Sequence, residues 1–374
     1  MTATASASRA AQILSRPVSL NGLTVPNRIA MAPMTRYFSP GGIPGEDVAS
    51  YYARRAAAGV GLIVTEGTYV GHESAGQSDD IPRFHGDEQL AGWAKVAEAV
   101  HAAGGRIVPQ LWHIGMVRSA GEPPFADAPA VGPSGIRLDG TAGTGKAMTQ
   151  ADLDDVIATF AEAAAAAERI GFDGIELHGA HGYLIDQFLW SGTNRRADEY
   201  GGDLVSRTKF AAEIVEAVRE AVSPSFPVVF RYSQWKQGAY HARLAESPSE
   251  LEALLTPLAS AGVDAFHAST RRYWHPEFDG SDLNLAGWTK KLTGKPAITV
   301  GSIGMKGDFT KAFLGEGSQT RSIDDLLDRL ENEEFDLVAV GRALLQDPEW
   351  AAKVLEGRVD ELAAYDPASL RTLS

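Results

Sequence analysis

The sequence predicts an α/β chain folded as a (β/α)8 barrel, and three observations carry that expectation. Eight apolar runs of strand length recur along the 374 residues. They are continuous rather than alternating, as strands covered on both faces require. A helical pattern follows each of them, which is the alternation of a TIM barrel. The rival fold, an open doubly wound sheet, more often opens on a glycine-rich dinucleotide fingerprint, and none is present near the start of the chain. A single TIM-barrel domain over residues 1–374 is expected, with 1–16 a poorly ordered leader of small residues.

The elements follow in order. Val18-Ser-Leu20 and Leu23-Thr-Val25 flank Asn21-Gly22, the preferred signal for a tight β-hairpin because both turn positions tolerate positive φ. The strand runs are then Arg28–Met31, Val60–Glu66, Arg106–Trp112, Gly174–Leu177, Val228–Tyr232, Ala265–Ala268, Ala297–Val300 and Leu337–Val340. Helical patterns cover Glu46–Ala58, Asp87–Ala103, Gln150–Arg169, Ser206–Val222, Ser249–Ala261, Leu285–Leu292, Ser322–Glu331 and Asp347–Leu355. Gly104-Gly105 stops the second of these, Thr149 caps the third, and Asp347-Pro348 suits the start of the last. One long irregular stretch, Ile114–Lys146, follows the third strand and would lie over the mouth of a barrel.

Composition narrows the chemistry. The net charge of −14 repels phosphate backbones, so nucleic acid and anionic membranes are not expected partners. There is no cysteine, which excludes disulfides, thiolate metal sites and cysteine nucleophiles. No apolar run approaches the ~20 residues that span a bilayer. The first residues lack the basic and apolar regions of a signal peptide, so a cytoplasmic location is expected. A homo-oligomer is compatible with the sequence.

Chemistry in such barrels gathers where strands run into the following loops. Strand four ends in His178, His181 and Tyr183, two imidazoles and a phenol within six positions. A metal pair at His178-x-x-His181 would need a third ligand from His113, His267 or a carboxylate, and no HExxH motif accompanies it. Arg231 directly follows Val228-Val-Phe230. A buried guanidinium there needs an anionic partner, either a ligand or Glu66 or Glu176. Gln110 offers an amide at the end of strand three. Gly301-Ser302-Ile303-Gly304 and Gly341-Arg342 close strands seven and eight and suit a phosphate site, since glycine lets backbone N–H groups approach the oxygens.

These blocks, above all His178-Gly-Ala-His-Gly-Tyr-Leu184 and Asn194-Arg-Arg-Ala-Asp-Glu-Tyr-Gly-Gly202, make the chain resemble the Old Yellow Enzyme family of FMN-dependent ene-reductases. The resemblance runs from Asn27-Arg-Ile-Ala-Met-Ala-Pro-Met-Thr-Arg36 to Gly341-Arg-Ala-Leu-Leu-Gln-Asp-Pro348. It implies FMN as cofactor and NADPH or NADH as reductant. It places Pro33, Met34 and Thr35 against the isoalloxazine, Gly67 close to the flavin, Gln110 on the pyrimidine edge, and Arg231 beside N1 and the C2 carbonyl. Gly301, Ser302, Gly341 and Arg342 would hold the FMN phosphate. His178 and His181 would bind the oxygen of an α,β-unsaturated ketone, aldehyde, maleimide or nitroalkene, and Tyr183 would donate the proton. Hydride would pass from nicotinamide through flavin N5 to the alkene by a ping-pong route.

Family members that oxidise amines or reduce dienoyl thioesters often carry a cysteine cluster and further domains. The absence of cysteine and an end about 30 residues after strand eight favour a single-barrel reductase. A flavin-dependent amine or N-methyl dehydrogenase and a metal-dependent barrel lyase or hydrolase remain the alternatives. Several members have Asn where His181 stands, and one branch has Cys where Thr35 stands. The stretch Ser269-Thr-Arg-Arg-Tyr-Trp-His275, with Trp235 and Trp288, departs from the family pattern. Its residues, including Arg271, Arg272 and Trp274, either line the far side of the pocket or lie in solvent.

Overall fold

The computed structural model of the chain describes residues 8–141 and 145–374. Eight parallel strands close into a barrel in sequence order: Ile29–Met31, Leu62–Tyr69, Arg106–Trp112, Ile175–His181, Val228–Lys236, Ala265–Ser269, Ala297–Val300 and Leu337–Val340. The eighth strand pairs back to the first through Val338↔Ile29 and Val340↔Met31. Strand residues are almost all buried, as the continuous apolar runs require.

Two cores result. Inside the barrel, small and branched side chains such as Ala30, Leu62, Val64, Val108, Val229, Ile298 and Leu337 fill the axis. The hairpin Val18–Leu20/Leu23–Val25 joins them through Val18, Leu20, Leu23 and Val25, plugging one end of the barrel. Asn21 takes the left-handed turn conformation at φ 51°. The second core lies between strands and helices and includes Trp93, Phe160, Phe210 and Leu254.

Helix starts follow local chemistry. Thr149 and Asp152 form a reciprocal capping box at Gln150–Arg169, and Asp203 caps Leu204–Ala221 through Ser206 N–H at 2.8 Å. Ser322 Oγ accepts from Asp324 N–H at the start of Asp324–Glu331.

Several expectations are corrected. Residues 8–16 are not a loose leader: Arg9–Leu14 is a helix capped by Ser8, with Ile13 and Leu14 buried against the outer core. Residues 1–7 lie outside the described residues. The helix expected over Asp347–Leu355 begins only at Trp350, because Asp347 turns its carboxylate onto Glu349 N–H ahead of it, and a separate short helix, Arg342–Gln346, precedes the turn. An unforeseen short helix, Leu184–Leu189, follows strand four. Strands four and five run on to His181 and Lys236, since the polar residues there find buried partners.

The stretch Ile114–Lys146 is organised around Arg118. Its buried guanidinium donates to the carbonyls of Gly76, Glu122, Phe125 and Ala128. Val131–Gly132 pairs with Lys146–Ala147 at its base, and residues 142–144 lie outside the described part. Among the described residues no helix is long and apolar enough to cross a membrane.

Candidate active site

The carboxyl ends of the strands surround a cavity of about 650 Å³, within the range of small-molecule and cofactor sites. The structure brings all thirteen sequence-predicted site residues to its wall: Pro33, Met34, Thr35, Gly67, Gln110, His178, His181, Tyr183, Arg231, Gly301, Ser302, Gly341 and Arg342.

Arg231 lies on strand five, 6% exposed. Its Nη2 reaches only the Ser269 hydroxyl, at 3.4 Å, and its Nε is buried with no partner. Among the described residues no carboxylate pairs with it: Glu66 accepts from Arg36 N–H, while Glu176 accepts from Gln110 Nε2 and pairs with His267 Nδ1, the last two at 2.7 Å. The two expected protein partners are thus engaged elsewhere. Burial lowers the Arg231 pKa and the more distant Glu176 raises it. A buried cation on a cavity wall, with an N–H left unpartnered, is matched to an electron-rich acceptor, as on the edge of a flavin.

The strand-four cluster is compact. The His178 and Tyr183 rings are 4.9 Å apart and edge-on, and Trp112 meets Tyr183 at 4.8 Å. His178 Nδ1 accepts from Ala180 N–H at 3.4 Å, leaving Nε2 as the protonated nitrogen. His181 stacks on Trp235 at 4.3 Å, and its Nε2 meets the Ser269 hydroxyl at 2.8 Å. Burial, then the Arg231 charge, holds both imidazoles well below 6.5. Burial, then Tyr37, raises the Tyr183 phenol, whose hydroxyl donates to Gln237 at 3.3 Å. Backbone geometry accounts for the residue at 181. Its φ is 66°, and among residues with a side chain, Asn and His adopt this left-handed region more readily than most.

A metal reading finds no support in this arrangement. His113 Nε2 is bonded to His72 Nδ1 at 3.0 Å, and His267 to Glu176. Among the described residues no group of three or more His, Asp or Glu side chains is placed to hold an ion.

At strands seven and eight, Arg342 Nη2 donates to Ser302 Oγ at 3.1 Å and to Gly307 O at 2.6 Å, and Nη1 donates to Asp308 O. No ion pair engages it among the described residues, and it lines the cavity, as an arginine of a phosphate site must. Gly341 and Ser302, the latter at φ 53°, line the cavity beside it.

Two of the glycines are also constrained by the protein itself. A Cβ at Gly67 would sit 2.6 Å from the Trp112 ring, and one at Gly301, φ 149°, would sit 2.6 Å from Thr270 Oγ1. Both are fixed by neighbouring protein atoms, although both line the cavity. Of the unassigned residues, Trp235 and Arg271 line it, whereas Trp288 packs on Phe278 and Trp274 lies beneath Arg321. Ser269, which opens the stretch singled out after strand six, lines the cavity too, and sequence reading did not reach Gln237, Tyr37, Tyr69 and Tyr365, which also line the wall. Ser269 carried a signal, standing at the end of strand six; Tyr365 carried none, since it returns from beyond strand eight.

Residues 14–361 match the family model described as the NADH:flavin oxidoreductase / NADH oxidase family. The chain is 34% identical to the NADH oxidase of Thermoanaerobacter brockii, over 92% of this chain and 50% of that protein. It is 31% identical to 12-oxophytodienoate reductase 7 of Oryza sativa subsp. japonica, over 89% and 85%. It thus spans about half the length of the NADH oxidase, and of the metal reductase of Desulforamulus reducens (31% identical). The structure of morphinone reductase in complex with tetrahydroNAD superposes with a TM-score of 0.77 at 30% identity, covering 96% of this chain and 93% of that one.

Proposed function

The chain belongs to the NADH:flavin oxidoreductase / NADH oxidase family, the Old Yellow Enzyme family, and from that premise we propose an FMN-dependent, NAD(P)H-driven ene-reductase acting on α,β-unsaturated ketones, aldehydes, maleimides or nitroalkenes. In this reading residues 1–374 form one FMN-binding barrel domain. FMN is the family's cofactor, and when bound it supplies hydride transfer from the nicotinamide to the alkene.

The observation that carries the reading is the buried Arg231, without a carboxylate partner, in one cavity with two imidazoles and Tyr183. Arg231 would hold the pyrimidine edge of the flavin and offset negative charge there. Gln110 would add an amide contact, and Pro33, Met34, Thr35 and Gly67 the ring contacts. Ser302, Arg342 and the glycines beside them would take the phosphate.

The protein's part in the reaction follows from protonation states. His178, neutral and with Nε2–H free, would donate to the substrate oxygen. His181 would join it by exchanging its bond to Ser269 for one to the same oxygen. Two neutral donors gain strength as enolate charge grows on that oxygen. Tyr183, kept protonated by burial, would deliver its proton to the α-carbon, with Gln237 holding the hydroxyl until substrate enters. Trp112, Tyr69 and Trp235 would shield the site from water.

The purified protein is expected to be yellow, to bleach with NADH or NADPH under anaerobic conditions, and to regain colour on adding cyclohexenone or maleimide. A colourless protein that FMN does not reconstitute would overturn the proposal.

A further inference from the structure

The loop after strand six carries a concentration of positive charge that the flavin site does not use. Arg271 lines the cavity. Arg271 and Arg272 share one carboxylate, Asp308, at 2.8 and 3.7 Å, and each side chain remains about a third exposed at 33% and 31%. Arg321 stands beside them with its guanidinium 3.8 Å over the Trp274 ring, and no ion pair engages it among the described residues. A guanidinium stacked on a ring keeps its N–H edges free. Asp325 lies within ion-pair distance of Arg329, at 3.4 Å, and not of Arg321. His275, exposed at the same corner, is held below 6.5 by burial, then by Arg272, Arg321 and Arg271, so the three guanidiniums act on one point. Among the described residues Asp308 is thus the one carboxylate within ion-pair distance of any of the three guanidiniums, on a chain whose net charge is −14.

The cluster is fixed and connected to the reaction centre. Tyr273 N–H donates to Gly301 O, Arg321 N–H to Gly304 O, and Ser302 Oγ to Arg271 O, tying it to the strand-seven turn. From His181 a continuous wall leads outward. Trp235 stacks on His181 and meets Tyr240 at 6.0 Å, and Arg271 lies 4.8 Å over Tyr240.

We propose that Arg271, Arg272 and Arg321 form an anion subsite at the cavity mouth, which receives a phosphate or carboxylate on the far end of a reactant whose reacting end lies at His178 and His181. The proposal rests on the flavin ene-reductase reading above. Two sources share this chemistry: the phosphates of the nicotinamide dinucleotide, and an acidic group on the alkene.

The test uses the full chain loaded with FMN and the double variant Arg272→Gln/Arg321→Gln, with Arg272→Lys/Arg321→Lys as a charge-retaining control. KM is measured for NADPH, NADH, cyclohexenone and a carboxylate-bearing cyclohexenone. The glutamine variant is expected to raise KM for the anionic reactant at least tenfold relative to cyclohexenone, and the lysine variant by less. A rise for NADPH relative to NADH identifies the 2′-phosphate. Equal rises for both nicotinamides identify the pyrophosphate. A rise for the carboxylated enone alone identifies the alkene. Ratios unchanged within twofold overturn the subsite, as does a loss confined to FMN affinity, which would assign the cluster to the cofactor's own phosphate. Failure of the functional reading itself shows separately, as wild-type protein that nicotinamide does not bleach.

Discussion

Lys236 and Asp186 form an ion pair of 2.9 Å from which solvent is shut out on both sides. Asp186 also accepts from Gly182 N–H at 2.6 Å, while Lys236 Nζ donates to the carbonyls of Ser233 and Gln234. The pair thereby joins the turn bearing His181 and Tyr183 to the strand end bearing Trp235 and Gln237. Burial pushes the Asp186 carboxyl up to about 6 against the pull of the ammonium. Asp186→Ala strands a buried ammonium and should cost about 3–5 kcal/mol, whereas Asp186→Leu/Lys236→Met should recover most of that loss. Urea midpoints check this, and equal losses in the single and double variants would contradict it.

Glu66 gives a pH dependence of stability with an unusual sign for a carboxylate. It is buried, with Oε1 unpartnered and Oε2 accepting from Arg36 N–H. Burial raises its pKa from 4.5 to about 7. A pKa raised in the folded state means that the native protein binds the proton more tightly than the unfolded chain. The contribution is therefore complete below 4.5 and lost as pH rises through about 7. Glu66→Gln retains the acceptor for Arg36 and removes the titration. At pH 8 it should exceed the wild type by about 1–3 kcal/mol, with the gap closing toward pH 4. Unfolding at the two pH values measures the difference.

These two pairs also mark what a sequence can disclose. The barrel was legible because strands buried on both faces must be apolar throughout, and the hairpin because Asn21-Gly22 suits only a tight turn. Strand five was read as ending at Tyr232, since Ser233, Gln234 and Lys236 are polar. Yet they are buried, each against a partner distant in sequence: Gln234 bonds Ala245 and Lys236 meets Asp186. Arg231 and the strand-four cluster were legible because their chain positions alone put them at the mouth. Tyr365 and Gln237 depend on loops meeting in space, and Gly67 depends on where Trp112 lies, which no local pattern records.

The neutral imidazoles set an expectation for pH–rate profiles. Burial and Arg231 hold His178 and His181 well below 6.5, so both stay neutral donors on either side of neutrality. With cyclohexenone, kcat/KM in a Glu66→Gln background should show no limb near 6.5 between pH 6 and 8. A limb persisting there and disappearing in His178→Asn would place a titrating imidazole in the site.

Tyr183 separates the two halves of turnover. Its phenol adjoins His178 and has no bond to Arg231, so its removal should spare flavin reduction by nicotinamide. Tyr183→Phe should slow alkene reduction by about 10²-fold or more, the usual worth of a placed general acid. Stopped-flow measurement of each half-reaction distinguishes them, and unchanged alkene turnover across substrates would remove Tyr183 from the role.

Arg231 makes a prediction that needs no turnover. Its Nε lacks a hydrogen-bond partner among the described residues, and Glu176 favours its charge only from a distance, so the apoprotein carries a buried charge that a ligand would relieve. Arg231→Met removes the cost and the ligand contact together. The apo variant should unfold at the same temperature as wild type or higher. FMN at 100 times its wild-type Kd should stabilise the wild type by about 2.7 kcal/mol and the variant much less. Melting curves with and without FMN give both numbers, and an undiminished FMN shift in the variant would show that Arg231 does not face the flavin.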